Sequence, residues 1–213
     1  MTHPLTEAEA ARLTRKIGTW GLWRAIVALP LNVFNIVVTA TACGFLLIYV
    51  FLPHQQTHTL AEVLRGWAGV GVTYGTTILG FLLAGFTIFA TISKPSLFLK
   101  MAGVRYEQTE FTYLEYNFYS FMNVFVVYLI LVGASIFIVL FCGAGELVPI
   151  IIDRYVGTGS ASELTRTGIV IIGTVMVWSL VMLKSFVMNV YHVVMTSIRW
   201  DWVLQEEERE RNV

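Results

Sequence analysis

The sequence is poor in charged residues and in cysteine. Only 13% of its 213 residues are Asp, Glu, Lys or Arg, roughly half the share that is usual in soluble domains. The 14 basic residues balance the 14 acidic ones, whereas a nucleic-acid-binding protein carries a basic excess. Two cysteines are too few for a disulfide scaffold. With 56% hydrophobic residues, the composition favours a membrane protein.

Motifs for catalysis and metal binding are also missing. The sequence contains no HExxH, GxSxG or P-loop pattern, and Asp153 is the only aspartate before Asp201. His54, His58 and Glu62 are spaced so that a helix would bring two imidazoles and a carboxylate to one face, but a fourth zinc ligand is missing. We therefore predict no enzyme, no catalytic or metal-binding residue and no cofactor.

Four apolar segments are long enough to cross a bilayer, because about 20 apolar residues span its hydrocarbon core. They run from Val33 to Leu52, Gly69 to Ile92, Asn117 to Cys142 and Gly168 to Val190. The predicted fold class is all-α, a polytopic membrane protein with four transmembrane helices. An N-terminal amphipathic interfacial helix is predicted over residues 1–30, the transmembrane domain over 31–195, and an acidic tail over 196–213.

The basic residues predict the orientation of these spans. Ten of them lie on one side and only three, Arg65, Arg154 and Arg166, lie on the other. Lys and Arg concentrate in cytoplasmic segments of membrane proteins. We therefore predict a multi-pass membrane protein with both termini in the cytoplasm.

Local signals describe the segments outside the spans. Thr6 and Glu9 have the form of a capping box for a first helix, which is expected to end before Pro30. Residues 96–101 predict a short apolar helix that ends at Gly103. The acidic and aromatic residues from Tyr106 to Tyr116 are interpreted as a helical extension of the third span.

The segments around the last span carry further signals. Residues 146–156 predict a short interfacial element, and Ser160 or Ser162 is expected to cap the last span. After Met195 the chain is expected to continue as a solvated helix with charges three and four residues apart. A cytoplasmic protein partner is expected to bind acids of the inner loop and tail. These are Glu107, Glu110, Glu206, Glu207 and Glu208.

Polar residues gather at the predicted inner ends of the spans. The cluster comprises Asn32, Asn35, Glu115, Asn117, Asn123, Lys184, Asn189 and His192. Polar side chains in a bilayer face the bundle interior or water, so we expect these residues at one depth, with Glu115 as a counter-ion for Lys184. Two interpretations stay open. Either Lys184 reaches the headgroups while the amides bond between helices, or the cluster lines the vestibule of a pore or ligand cavity.

The second span is rich in small residues. Gly71, Gly75, Gly80 and Ala84 recur at four- and five-residue intervals and allow a neighbouring helix to approach closely. That neighbour belongs either to the same chain or to another subunit. Together with the many aromatic residues of the spans, this pattern favours a homo-oligomer.

The run from Gly80 to Ile92 (GFLLAGFTIFATI), followed by Ser93 to Phe98 (SKPSLF), resembles small bacterial four-span inner-membrane proteins of anti-phage defence loci. The chain is similar in size and span count to the membrane subunit of the Kiwa defence system. The resemblance covers about twenty residues and includes no catalytic motif. It implies a homo-oligomeric, multi-pass component of a bacterial inner membrane that senses phage-induced perturbation and works with a cytoplasmic effector.

The leading hypothesis is a non-enzymatic, oligomeric membrane sensor or scaffold that couples to a cytoplasmic partner. The alternative is a pore- or channel-forming protein whose inner vestibule is lined by Asn123, Lys184 and Asn189.

Overall fold

The computed structural model describes residues 18–30, 32–52, 57–92, 95–106, 111–142, 147–155, 157 and 159–211. Within these ranges the chain forms seven helices and no strand. They are α1 (Thr19–Val27), α2 (Val33–Phe51), α3 (Thr57–Ile92), α4 (Pro95–Gly103), α5 (Tyr113–Phe141), α6 (Leu147–Tyr155) and α7 (Ser160–Arg211). By length and composition, α2, α3, α5 and α7 each contain a segment able to cross a membrane. The prediction of an all-α chain with four candidate spans is confirmed.

Two of the long helices extend well beyond the predicted spans. α3 begins at Thr57 rather than near Gly69, because Leu60, Leu64 and Ala68 continue its buried face at helical spacing. α7 contains 52 residues, against the roughly 20 that a bilayer requires. The predicted helical continuation after Met195 is confirmed.

The segment before α5 differs from the prediction. We expected a helical extension from Tyr106, but α5 begins at Tyr113, and an antiparallel bridge pairs Arg105 with Thr112. Beside this bridge, the backbone N–H of Tyr106 donates to the carbonyl of Phe111 at 3.0 Å. The chain therefore folds back on itself here, and the helical interpretation is wrong for the described residues before Tyr113. Tyr113–Tyr116 do extend the third span as a helix, as expected.

A capping box explains why α5 begins where it does. The backbone N–H of Glu115 donates to Thr112 Oγ1 at 3.2 Å, and Glu115 Oε2 accepts the backbone N–H of Thr112 at 2.9 Å. Two N–H groups that the first helical turn leaves unpaired are satisfied in this reciprocal way. The pattern Thr-x-x-Glu is a stronger start signal than the aromatic residues before it.

The described bounds of the short helices agree with the predicted ones, and their location at the membrane interface stays a prediction. α1 ends at Val27, before Pro30, while Thr6 and Glu9 lie outside the described residues. α4 ends at Gly103 as expected. α6, with 9 residues, is too short to cross a bilayer.

The start of α7 is capped by a residue that the sequence did not indicate. Asp153 Oδ1, on α6, accepts the backbone N–H of Ala161 at 3.2 Å. Ser162 Oγ instead donates to the carbonyl of Gly159 at 2.7 Å, and Gly159 has a positive φ of 98°. α7 does begin at Ser160, but the capping acceptor comes from the preceding helix, because the tight glycine turn brings α6 close to this end.

The chain divides into two compact units. The first unit takes in the described residues up to Leu29, those from Thr87 to Asn123 and those from Leu183 onward. The second unit consists of Pro30–Phe86 and Val124–Met182.

Glycine permits close helix contacts in the second unit. A Cβ added to Gly75 would lie 2.5 Å from Val132 Cγ2 on α5. A Cβ on Gly173 would lie 2.7 Å from Leu46 Cδ1 and from Trp67 Cζ3. Small residues allow this approach where lipid supplies no hydrophobic drive for helix association.

A tyrosine network joins three helices of the second unit. Tyr128 is fully buried on α5, and its hydroxyl lies 2.5 Å from that of Tyr74 on α3. The same hydroxyl donates to the carbonyl of Ser179 on α7 at 3.1 Å. Ser179 Oγ in turn donates to the carbonyl of Met176 at 2.8 Å. These bonds satisfy polar groups that lipid would leave unpaired.

Candidate functional site

The structure divides the predicted polar cluster between the two units. Asn32 and Asn35 belong to the second unit. The side chain of Asn32 accepts the backbone N–H of Phe34 at 2.9 Å and caps α2. Asn35 is buried, and its Nδ2 donates to Met182 Sδ on α7 at 3.8 Å. One amide therefore starts α2, and the other helps to hold it against α7.

Three other members of the cluster line one cavity in the first unit. The cavity has a volume of about 490 Å³, within the range of small-molecule sites. Its polar groups include Asn117 on α5 and Asn189 and His192 on α7. The remaining lining residues are Met101, Val104, Tyr106, Tyr113, Tyr116, Val193 and Thr196.

Helical spacing explains which residues of α5 and α7 reach this cavity. Residues three and four apart share one face of a helix. On α7 the lining residues are Asn189, His192, Val193 and Thr196, and on α5 they are Tyr113, Tyr116 and Asn117. One face of α5 and one face of α7 therefore line the cavity. α4 and the loop that follows it supply the remaining lining residues.

Three tyrosines form an aromatic cluster at this cavity. The ring of Tyr106 stacks on that of Tyr116, with centroids 4.1 Å apart and planes 8° from parallel. Tyr113 meets Tyr106 edge-on, with centroids 5.0 Å apart. The backbone N–H of Tyr113 donates to the carbonyl of Val104 at 3.0 Å, which fixes the loop residues against the start of α5.

The cavity combines buried apolar side chains with polar groups that water can reach. Met101 and Val193 are buried and pack with Leu114. Asn117 Nδ2 donates to the carbonyl of Tyr113 at 2.7 Å, whereas His192 is exposed. The cavity therefore offers an apolar contact surface together with hydrogen-bonding groups.

The other three members of the predicted cluster do not line this cavity. Glu115 is engaged in the capping box of α5. Lys184 is exposed on α7, and Asn123 is half-buried on α5. The pairing of Glu115 with Lys184 stays a prediction.

The four small residues predicted for oligomerisation lie on two faces of α3. Gly75 packs against α5 of the same chain, and a Cβ added to Gly71 would collide with Ser135 Oγ on α5. Gly80 and Ala84 are exposed, and a Cβ added to Gly80 would meet nothing within 4 Å. Nine residues, or about 2.5 helical turns, separate Gly71 from Gly80, so the two glycines point in opposite directions.

Some predicted residues fall outside the described part of the chain or have no described side chain. His54, Glu107 and Glu110 lie outside it. Glu207 and Glu208 belong to the helical backbone of α7, but only the neighbouring Glu206 has a described side chain, which is exposed. Over the described ranges, no group of three or more His, Cys, Asp and Glu residues could hold a metal ion. Neither Cys43 nor Cys142 forms a disulfide.

Sequence reasoning missed the contribution of the tyrosines to the cavity. Tyr113 and Tyr116 stand three residues apart and Asn117 follows directly, so their common face on α5 was visible in the sequence. Tyr106 reaches that face through the fold-back of the chain. That fold-back depends on pairing between residues that no short motif connects.

The chain matches no protein-family model, no curated protein and no solved structure.

Proposed function

We propose that this chain is a non-enzymatic protein of a bacterial inner membrane that couples the state of the membrane to a cytoplasmic partner protein. The supporting observation is the continuity of α7. Its membrane-compatible segment, Ser160–Thr196, continues without interruption to Arg211. The 15 residues from 197 to 211, which we call the α7 extension, rise about 22 Å at 1.5 Å per residue. A continuous helix is stiff enough to transmit a shift or rotation of the span to its far end.

The chemistry of this extension favours a protein partner with a basic surface. From Asp201 to the last residue the chain carries five acids and two bases. Glu206 and Glu210 are exposed, as is Trp202. Anionic lipid attracts basic segments and repels acidic ones, so this helix suits a protein surface better than a membrane surface. Exposed tryptophan adds an aromatic anchor of the kind that protein interfaces use.

Homo-oligomerisation is part of the same proposal. The exposed face of α3 that contains Gly80 and Ala84 has the small side chains that let a second copy approach closely. The resemblance of residues 80–98 to membrane proteins of anti-phage loci supports a sensing role in defence. The distribution of basic residues supports placing the α7 extension in the cytoplasm.

Removing the negative charges of the α7 extension tests this function. Glu206, Glu207, Glu208 and Glu210 are changed together to Gln, which retains helix propensity and removes four negative charges. Proteins that co-purify with the full chain from the native membrane are then quantified at low and high salt. We expect a basic cytoplasmic protein that binds the unchanged chain at low salt to be lost from the variant.

The double substitution Glu62→Gln and Glu163→Gln is the control, because these exposed acids lie far from the extension in sequence. It should retain the partner. Equal recovery of every co-purifying protein with the unchanged chain and the extension variant would contradict the proposal.

A further inference from the structure

The lining of the cavity in the first unit indicates the kind of molecule that it can hold. The volume of about 490 Å³ suits a small organic molecule. We infer that this cavity binds a neutral, flat ring compound that carries carbonyl or hydroxyl oxygens, the chemistry of a quinone headgroup.

The described lining residues of the cavity favour a neutral ligand. None of the ten described lining residues is Asp, Glu, Lys or Arg. Among these residues, a phosphate or carboxylate would not find the basic partner that normally balances its charge when it leaves water. A metal ion or an ammonium group would likewise find no carboxylate among the described lining residues.

The aromatic residues favour a flat ring. Tyr106 and Tyr116 already stack almost parallel, and Tyr113 adds an edge contact. Aromatic rings prefer offset stacking or edge contacts with further rings. The thioether of Met101, which also lines the cavity, is suited to contact with a ring edge. A flat ring therefore fits these surfaces better than a branched aliphatic group.

The polar groups favour oxygen atoms on that ring. Asn117 lies on α5, and Asn189 and His192 lie on α7, so two helices supply hydrogen-bonding groups to one cavity. Each amide carries two N–H donors. Asn117 uses its Nδ2 to donate to the carbonyl of Tyr113, which leaves its second N–H for a ligand. Oxygens on opposite sides of a ring could accept from both helices.

Two sources could supply such a ring. The lining residues of α7 fall within the membrane-compatible segment Ser160–Thr196, so a ring with an alkyl tail could enter from lipid. A tail-free ring could enter from water. Ligand binding here does not require the partner proposed for the α7 extension, so either proposal can fail alone.

The test uses the purified full chain in phosphatidylcholine nanodiscs. Calorimetry measures the dissociation constants of a decyl-substituted benzoquinone and of the same ring without its tail, with decanol as a competitor. We expect saturable binding of the decyl compound that decanol does not displace. Binding of both ring compounds indicates recognition of the ring alone, and binding of the decyl compound only indicates a ligand that enters from lipid.

Two cavity variants and one control complete the experiment. Asn189→Leu retains the size of the side chain and removes its hydrogen bonds, so we expect affinity to fall about tenfold. Thr196→Trp fills the cavity and should abolish binding. Met195→Leu changes an exposed neighbour that does not line the cavity and should leave affinity unchanged.

Three results would overturn the inference: no saturable binding of either ring compound, displacement of the decyl compound by decanol, or unchanged affinity in a folded Asn189→Leu protein. If Asn189→Leu fails to fold, Thr196→Trp decides. Unchanged affinity in that variant would equally refute binding at this cavity.

Discussion

Tyrosine side chains are buried in a packed helix contact in the second unit but line a cavity in the first. In the second unit, Tyr128 is fully buried, and its hydroxyl bonds to Tyr74 and to the backbone of Ser179. In the first unit, Tyr106 and Tyr116 stack beside a cavity that a ligand could enter. The same residue type therefore completes a packed helix contact in one region and forms an open surface in the other.

The comparison extends to the other polar and small residues. The second unit pairs the buried hydroxyls of Tyr128 and Ser179 within the protein and uses glycine to bring helices together. The first unit collects amides and an imidazole around a space that protein atoms do not fill. Substitutions at the buried helix contacts of the second unit should therefore lower stability, whereas substitutions at the cavity should mainly change ligand binding.

The largest expected effect distinguishes two glycines of α3 within the second unit. Gly75→Leu should lower the free energy of unfolding by about 2–3 kcal/mol, because overpacking forces neighbours to move and Val132 is stiff at χ1. Val132 Cγ2 stands only 2.5 Å from the position of an added Cβ. Thermal unfolding of the protein in detergent, followed by circular dichroism, measures the change.

Gly80→Leu is the matched control for this effect. A Cβ added at Gly80 meets nothing within 4 Å, so the free energy of unfolding should be nearly unchanged. If the exposed face forms the proposed oligomer, the apparent mass in light scattering should fall for Gly80→Leu alone. Equal loss of stability in both variants would contradict the assignment of the two glycines to different faces.

A smaller effect is expected from the tyrosine network. Tyr128→Phe removes one hydroxyl that contacts both Tyr74 and Ser179, and we expect a loss of about 1–2 kcal/mol in stability. Tyr74→Phe removes only the contact between the two hydroxyls and should cost less. The same unfolding assay measures both variants.

Tyr155→Phe provides the comparison, because Tyr155 is 80% exposed on α6 and its substitution should have no measurable effect. If Tyr128→Phe is as stable as Tyr155→Phe, the buried network does not stabilise the second unit.

The sequence predicted the four candidate spans because bilayer thickness imposes a minimum apolar length that composition reveals directly. It placed the start of α3 too late, because residues 57–68 mix polar and apolar side chains. Their helical periodicity was visible in Leu60 and Leu64, but a search for continuous apolar runs does not detect it.

The candidate site was predicted in part. Asn189 and His192 stand three apart on one helix, so their shared face followed from the sequence. Asn32 and Asn35 were expected beside them from estimated depth alone, and depth does not determine which helix face a side chain occupies. Tyr106 could not be placed, because its position depends on pairing between residues 105 and 112.

The smallest expected effect concerns the capping box that fixes the loop at the cavity. Glu115→Ala removes the carboxylate that accepts the backbone N–H of Thr112, and loss of a cap costs about 0.5–1 kcal/mol locally. Hydrogen exchange at the Thr112 amide should therefore accelerate a few-fold, whereas amides around Tyr128 should be unaffected. Glu210→Ala, at an exposed acid of the α7 extension, should change neither. Acceleration around Tyr128 as well would show that the two units unfold together, whereas a change confined to the loop would show that the first unit can open by itself.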